Sequence, residues 1–224
     1  MGNDVAPAFY ALRSGGWRDY VTFLHPPYTL WHLSYVAFGA AVMPPLVLWR
    51  LGGTLVAFFL AVGIGAHALD ELHGRPLGTG IDSRLLLATA IASITAAMVL
   101  GLVYGGWKLL PFVVIGGVLV YGYNLELFGG RLHSDVWFAF AWGAFPALTA
   151  FFASAQTVRA EGFLIAAFAF TTSLVQQRLS VDVRHARRTL GDTSQARAAE
   201  VALKLLALSM PLLAGAVLLS RWHY

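Results

Sequence analysis

The chain has 224 residues, 58% hydrophobic and 12% charged, with a mean hydropathy of +0.68. Soluble domains carry about 25% charged residues, so the composition excludes an ordinary globular domain and indicates a polytopic helical membrane protein. Cysteine is absent, which excludes disulfides, thiolate metal sites and cysteine nucleophiles. The net charge of +4 is what basic cytoplasmic loops produce, and does not call for nucleic acid.

Residues 1–28 mix Phe9, Tyr10, Trp17, Tyr20 and Phe23 with Arg13, Arg18 and Asp19. They read as a cytoplasmic amphipathic segment on the membrane surface, with no cleavable signal peptide. Residues 29–224 form a single transmembrane domain. Seven apolar runs approach the ~20 residues needed to span a bilayer. The first is Thr29–Trp49, with Pro44-Pro45 as a kink, followed by a tight turn at Arg50 and Gly52-Gly53. Leu51–Leu72, Leu85–Tyr104, Leu109–Phe128 and Val136–Ala155 follow. Gly162–Leu179 continues as helix beyond the lipid, and Val201–Leu219 is capped by Thr193 or Ser194.

With seven spans, eleven Lys and Arg residues lie on the side of the N-terminus and four on the other. The N-terminus is therefore expected in the cytoplasm and the C-terminus outside, in the inner (plasma) membrane. All the acids but Glu161 fall on the cytoplasmic side too, a bias that the positive-inside rule does not require. A functional site is expected there.

Two stretches carry its chemistry. Residues 66–83 read AHALDELHGRPLGTGIDS, in which His67, Asp70 and Glu71 share a helix face. Arg75 and the glycines after it could hold an anion. At the end of the sixth helix Arg178, Asp182 and His185 share a face, with Arg184 and Arg188 beside them. Two helices ending on one side thus present HxxD and DxxH. Carboxylates suit a divalent cation and arginine suits the phosphate oxygens it bridges. Tyr123, Asn124, Glu126 and His133 are placed to complete the site.

The same residues resemble the UbiA superfamily of intramembrane prenyltransferases. His25-Pro26-Pro27-Tyr28-Thr29 is similar to the family's Arg-Pro-x-Thr entry to the first helix. Ala66–Asp70, Arg75-Pro76 and Gly80-Ile81-Asp82-Ser83 follow the order of its first Asp-rich motif, Asp182–His185 stands at the second, and Trp142–Pro146 echoes its fifth helix. The resemblance implies a helical bundle in which Asp70, Asp182 and Tyr123 act catalytically. Arg75, Arg178, Arg184, Arg188 and Asn124 would bind an isoprenoid diphosphate, with Mg²⁺ as the metal. The sequence departs from the pattern at His67 and His185, which replace Asp, in the displaced Gly191-Asp192 pair, and in having seven rather than nine spans.

Three readings follow: a prenyltransferase or cyclase; a Zn or Fe protein built on His67, Asp70, Glu71, Asp182 and His185; and a non-catalytic lipid binder or complex subunit. Membrane lipid is a partner in all three, and an oligomer or partner subunit would close the bundle.

Overall fold

Backbone amides inside a bilayer have no water to bond, so apolar spans persist there as helices or closed barrels. Every regular element among the described residues of the computed structural model is helical. The structure describes residues 7–43, 45–189 and 194–222, with the backbone alone for 187–189, 194 and 195. The proposed cap Thr193, the side chain of the other proposed cap, Ser194, the Gly191-Asp192 pair, Pro44 and the Arg188 side chain therefore lie outside the description.

A short surface helix, α1 (Trp17–Phe23), precedes α2 (Pro26–Ala41). Then come α3 (Leu48–Leu72), α4 (Ser83–Gly105), α5 (Trp107–Asn124) and α6 (Asp135–Ala155). The last two are α7 (Ala160–Thr189) and α8 (Ser194–Trp222). Five of these, α3, α4, α5, α6 and α8, are long and apolar enough to cross a membrane. The protein is a helical membrane bundle.

The other two predicted spans are helices with a different character. The first stops at Ala41 after 16 residues, and residues 42, 43 and 45–47 are irregular. Pro45 lies in this break, and a proline both lacks a donor and restricts the residue before it. The turn expected at Arg50 and Gly52-Gly53 is instead the start of α3, where the Arg50 guanidinium bonds the carbonyls of Ala153 and Ser154. The sixth runs 30 residues, to Thr189, and so does continue past its apolar part. Thr171, Thr172, Gln176, Gln177 and Arg178 dilute that apolar stretch.

Short as it is, α2 is the hub. Trp31, Tyr35, Val36 and Ala40 are fully buried, and α2 packs against α6 and α8 while also touching α3 and α7. Helices carrying no large residue at a crossing can approach closely, and Gly39 provides such a crossing. A Cβ there would sit 2.1 Å from the Ala147 carbonyl oxygen of α6. Gly143 of α6 does the same for α7, 2.5 Å from the Ala169 oxygen. Both α3 and α6 also contain a π-helical stretch, Phe59–Ala66 and Phe140–Ala144; such turns recur at functional sites.

Gly39→Ala is expected to push α2 off α6 and destabilise by about 1–3 kcal/mol, the usual cost of overpacking. The thermal midpoint in detergent should fall. Gly52→Ala, whose added carbon meets nothing within 4 Å, should leave the midpoint unchanged or raise it.

Candidate functional site

The start of α2, the ends of α3, α5 and α7 and the starts of α6 and α8 enclose a cavity of about 280 Å³. All of these termini lie at one end of the bundle. The N-terminal segment closes it from outside, with Pro7, Ala8, Phe9 and Tyr10 in its wall.

Among the predicted site residues, His67, Asp70, Tyr123, Asn124 and Arg184 line this cavity together. Asp70 lies within electrostatic reach of Arg184, His133 and His73 as well as of Glu71. Arg184 also faces Tyr10, Tyr123 and His25, which makes it the central cation of the cavity. His67 Nδ1 is 3.1 Å from the Gly63 carbonyl. A ring that donates there keeps a lone pair on Nε2. The His67 ring stacks on His25 at 4.1 Å, and Tyr123 stacks on His133 at 4.6 Å. Asn124 donates to the Val120 carbonyl at 2.7 Å, which fixes its amide.

The other predicted site residues are placed elsewhere. Glu71, 1% exposed, turns under the loop that follows it. It accepts bonds from the Leu77 amide (3.1 Å), the Thr79 amide (2.8 Å) and the Thr79 hydroxyl (2.8 Å). Arg75 bonds the carbonyls of Thr79 and Ile81 and the Ser83 hydroxyl, so its guanidinium braces the loop. Arg178 pairs with Asp135 at 2.9 Å. Asp182 and His185 are exposed and are not part of the cavity wall.

The physical reason is helical phase. Arg178, Asp182 and His185 do share a face, but at about 100° per residue it lies opposite Gln176, Ser180, Val183 and Arg184, which the cavity takes. HxxD and DxxH therefore do not meet across it. Among the described residues no three His, Asp or Glu side chains converge as a metal-binding group. The protein ligands required for a Zn or Fe centre on His67, Asp70, Glu71, Asp182 and His185 are thus not assembled.

The cavity also gains residues that the sequence reading left out, namely Tyr10, His25, Tyr28, His32, Gln176 and Ser180. Their signal was available: His25, Tyr28 and His32 stand at i, i+3 and i+7, the spacing that links His67 to Asp70. Tyr10 belongs to the cavity because Gly15 and Gly16, both at positive φ, fold the chain back over α1. Asp19 holds that fold, accepting from the Gly15 and Gly80 amides at 2.8 and 2.9 Å.

The Tyr10 hydroxyl donates to His25 Nδ1 at 2.6 Å. Burial pushes the Tyr10 phenol up, so it stays a donor. His25 is held well below the ordinary imidazole range, first by burial and then by the charges of His67, Arg184 and His32.

A second, apolar hollow of about 80 Å³ lies deeper, between α3, α4, α5 and α6. Val62 and Trp142 line both it and the polar cavity. Compared with known proteins, the chain matches no family model, no curated protein and no solved structure.

Two outcomes separate structural from site carboxylates. Glu71→Ala strands three donors, and a hydrogen bond to a charged group is worth about 1.5–3 kcal/mol, so the variant should unfold at a clearly lower temperature. Asp70→Asn should keep the wild-type midpoint. The His25 effect has a definite sign. Unfolded His25 titrates near 6.5 and folded His25 below it, so the unfolded chain takes up the extra proton and stability is lost as pH falls beneath that value. The unfolding midpoint should drop between about pH 7 and pH 5, and drop less in His25→Phe, which keeps the ring but cannot titrate.

Proposed function

We propose that the chain is a UbiA-like intramembrane prenyltransferase or cyclase acting on an isoprenoid diphosphate. The observation that supports this most is the junction at Val62 and Trp142, where a polar cavity at the membrane surface adjoins an apolar one within the bundle. An amphiphile with an anionic head and an apolar tail fits that sequence of surfaces. The head would lie against Arg184, and the tail would pass Val62 and Trp142 toward the lipid.

Ionisation breaks the bond between the allylic carbon and the diphosphate oxygen, and the electron pair leaves with the diphosphate. The Arg184 guanidinium, in the cavity wall, would stabilise the charge that develops there. The allylic cation is left facing Trp142, Tyr123 and Phe138, whose rings lie within 6.5 Å of one another, and aromatic faces stabilise cations. The acceptor then bonds to that carbon and gives up its proton to the free Nε2 of His67. Mg²⁺ is typically bound by one or two carboxylates together with substrate phosphates, and Asp70 would supply the carboxylate; the ion would neutralise diphosphate charge. By the distribution of basic residues the site faces the cytoplasm of the inner membrane. A second copy or a partner subunit would close the bundle.

With Mg²⁺ and geranylgeranyl diphosphate, the purified protein should release pyrophosphate. Asp70→Ala should abolish release, and Arg184→Gln should slow it by about 10²-fold, as for other preorganised donors. Asp182→Ala and His185→Ala should stay within about twofold, as exposed positions do. Absence of release from any allylic diphosphate overturns the reading. One observation favours binding without turnover, the single carboxylate in the cavity wall among the described residues; diphosphate binding that persists with no release would establish that alternative.

A further inference from the structure

The strap that closes the polar cavity differs from its other walls. Most of those are helices, bonded along their own backbones, whereas residues 7–16 run ahead of α1 as turns and bends. Two aromatic side chains hold the strap to α2 and α8. The Tyr10 hydroxyl donates to His25 Nδ1 at 2.6 Å. Tyr10 and Phe9 stand edge-on to Tyr28, at 5.3 and 6.0 Å, and the Lys204 ammonium lies 5.3 Å from the Phe9 ring centre. At its foot the Leu12 amide donates to the Thr22 hydroxyl at 2.9 Å.

Between strap and α1 stand two glycines, Gly15 at φ 119° and Gly16 at φ 63°. A Cβ at either would meet nothing within 4 Å, so glycine is required there by conformation and not by packing. Residues 12–16 are exposed, and Asp19 fixes the turn through the Gly15 amide. A segment with little buried surface, joined to the fold at a flexible point, can open while the rest persists. Beneath it lie about 280 Å³ of space edged by His25, His67, Asp70 and Arg184. Lifting the strap therefore breaks one side-chain hydrogen bond and a few ring contacts, and uncovers polar groups that water solvates.

We propose that residues 7–10 are a lid on the polar cavity, latched by Tyr10 to His25 and hinged at Gly15-Gly16, and that water-soluble molecules enter the cavity when it lifts. The lid does not depend on what chemistry the cavity performs.

The chain has no cysteine, so one introduced thiol reports access to the cavity. Ser180 and Ala66 both line it, at 6% and 3% exposure, and Ser180→Cys and Ala66→Cys are two independent reporters. In lipid nanodiscs each is treated with 2-sulfonatoethyl methanethiosulfonate, an anionic reagent that does not cross lipid. Where opening is fast relative to reaction, the labelling rate follows the open fraction. Adding Tyr10→Phe, which deletes the latch bond and keeps the ring, should speed labelling by about threefold or more. Gly16→Ala should do the same, because the closed turn strains a residue with a Cβ. Ser93→Cys, in α4, 7% exposed and outside the cavity wall, should stay unlabelled throughout. Rates at both reporters that neither change alters overturn the proposal, since the strap is then a fixed wall. So does equal acceleration at Ser93→Cys, which would mean a general loosening of the bundle. Failure of pyrophosphate release touches none of these results.

Discussion

The Glu71 carboxylate is buried where water does not reach, and a charge so placed must be paired or surrounded by donors. It takes two amides and a hydroxyl from the loop after α3, and much of the polar end depends on that arrangement. The loop so folded presents the Gly80 amide to Asp19, and Asp19 with its other oxygen turns the chain at Gly15. That turn lays Phe9 and Tyr10 across the cavity mouth, where Tyr10 reaches His25. One desolvated carboxylate thus links α3, the loop, α1 and the N-terminal segment. Three donors around one charge is the sort of local network that rigidifies a site while contributing nothing to its chemistry.

The bundle's other dependence is on close approach. Inside lipid there is no hydrophobic gain from bringing two apolar helices together, so packing detail decides the geometry. Gly39 and Gly143 let α2, α6 and α7 meet backbone to backbone. The result is a central α2 that is buried almost throughout and carries His25, Tyr28 and His32 into the cavity. The same closeness brings Val62 and Trp142 to the boundary between polar and apolar space, each from a π-helical stretch.

Much of this was legible in the chain. The apolar runs located the helices, because a bilayer permits little else. The clustering of carboxylates and histidines near one set of helix ends located the cavity's end of the molecule. Spacing at three and four residues correctly put His67 with Asp70. The same rule grouped Arg178 with Asp182 and His185, and that grouping holds as well. What spacing does not say is which way a face points: two faces of α7 each carry charge, and packing turned the Gln176, Ser180 and Val183 side inward, with the exposed Arg184 at the cavity's edge.

The sequence by itself determined the class of protein, the order of its apolar helices and the polar end, since these follow from hydropathy and charge along the chain; it misplaced the end of α2 and the start of α8 by seven or eight residues. Tertiary structure decided which groups share a cavity. It turned Glu71 and Arg75 into loop supports, sent Asp182 and His185 outward, and drew in Tyr10, His32 and Gln176. Those assignments depend on helix rotation and on contacts between residues far apart in sequence, Asp19 with Gly80 or Tyr28 with Ser180. Such contacts are fixed by which backbones can approach and by which buried polar atoms find partners, and neither is a property of any one segment.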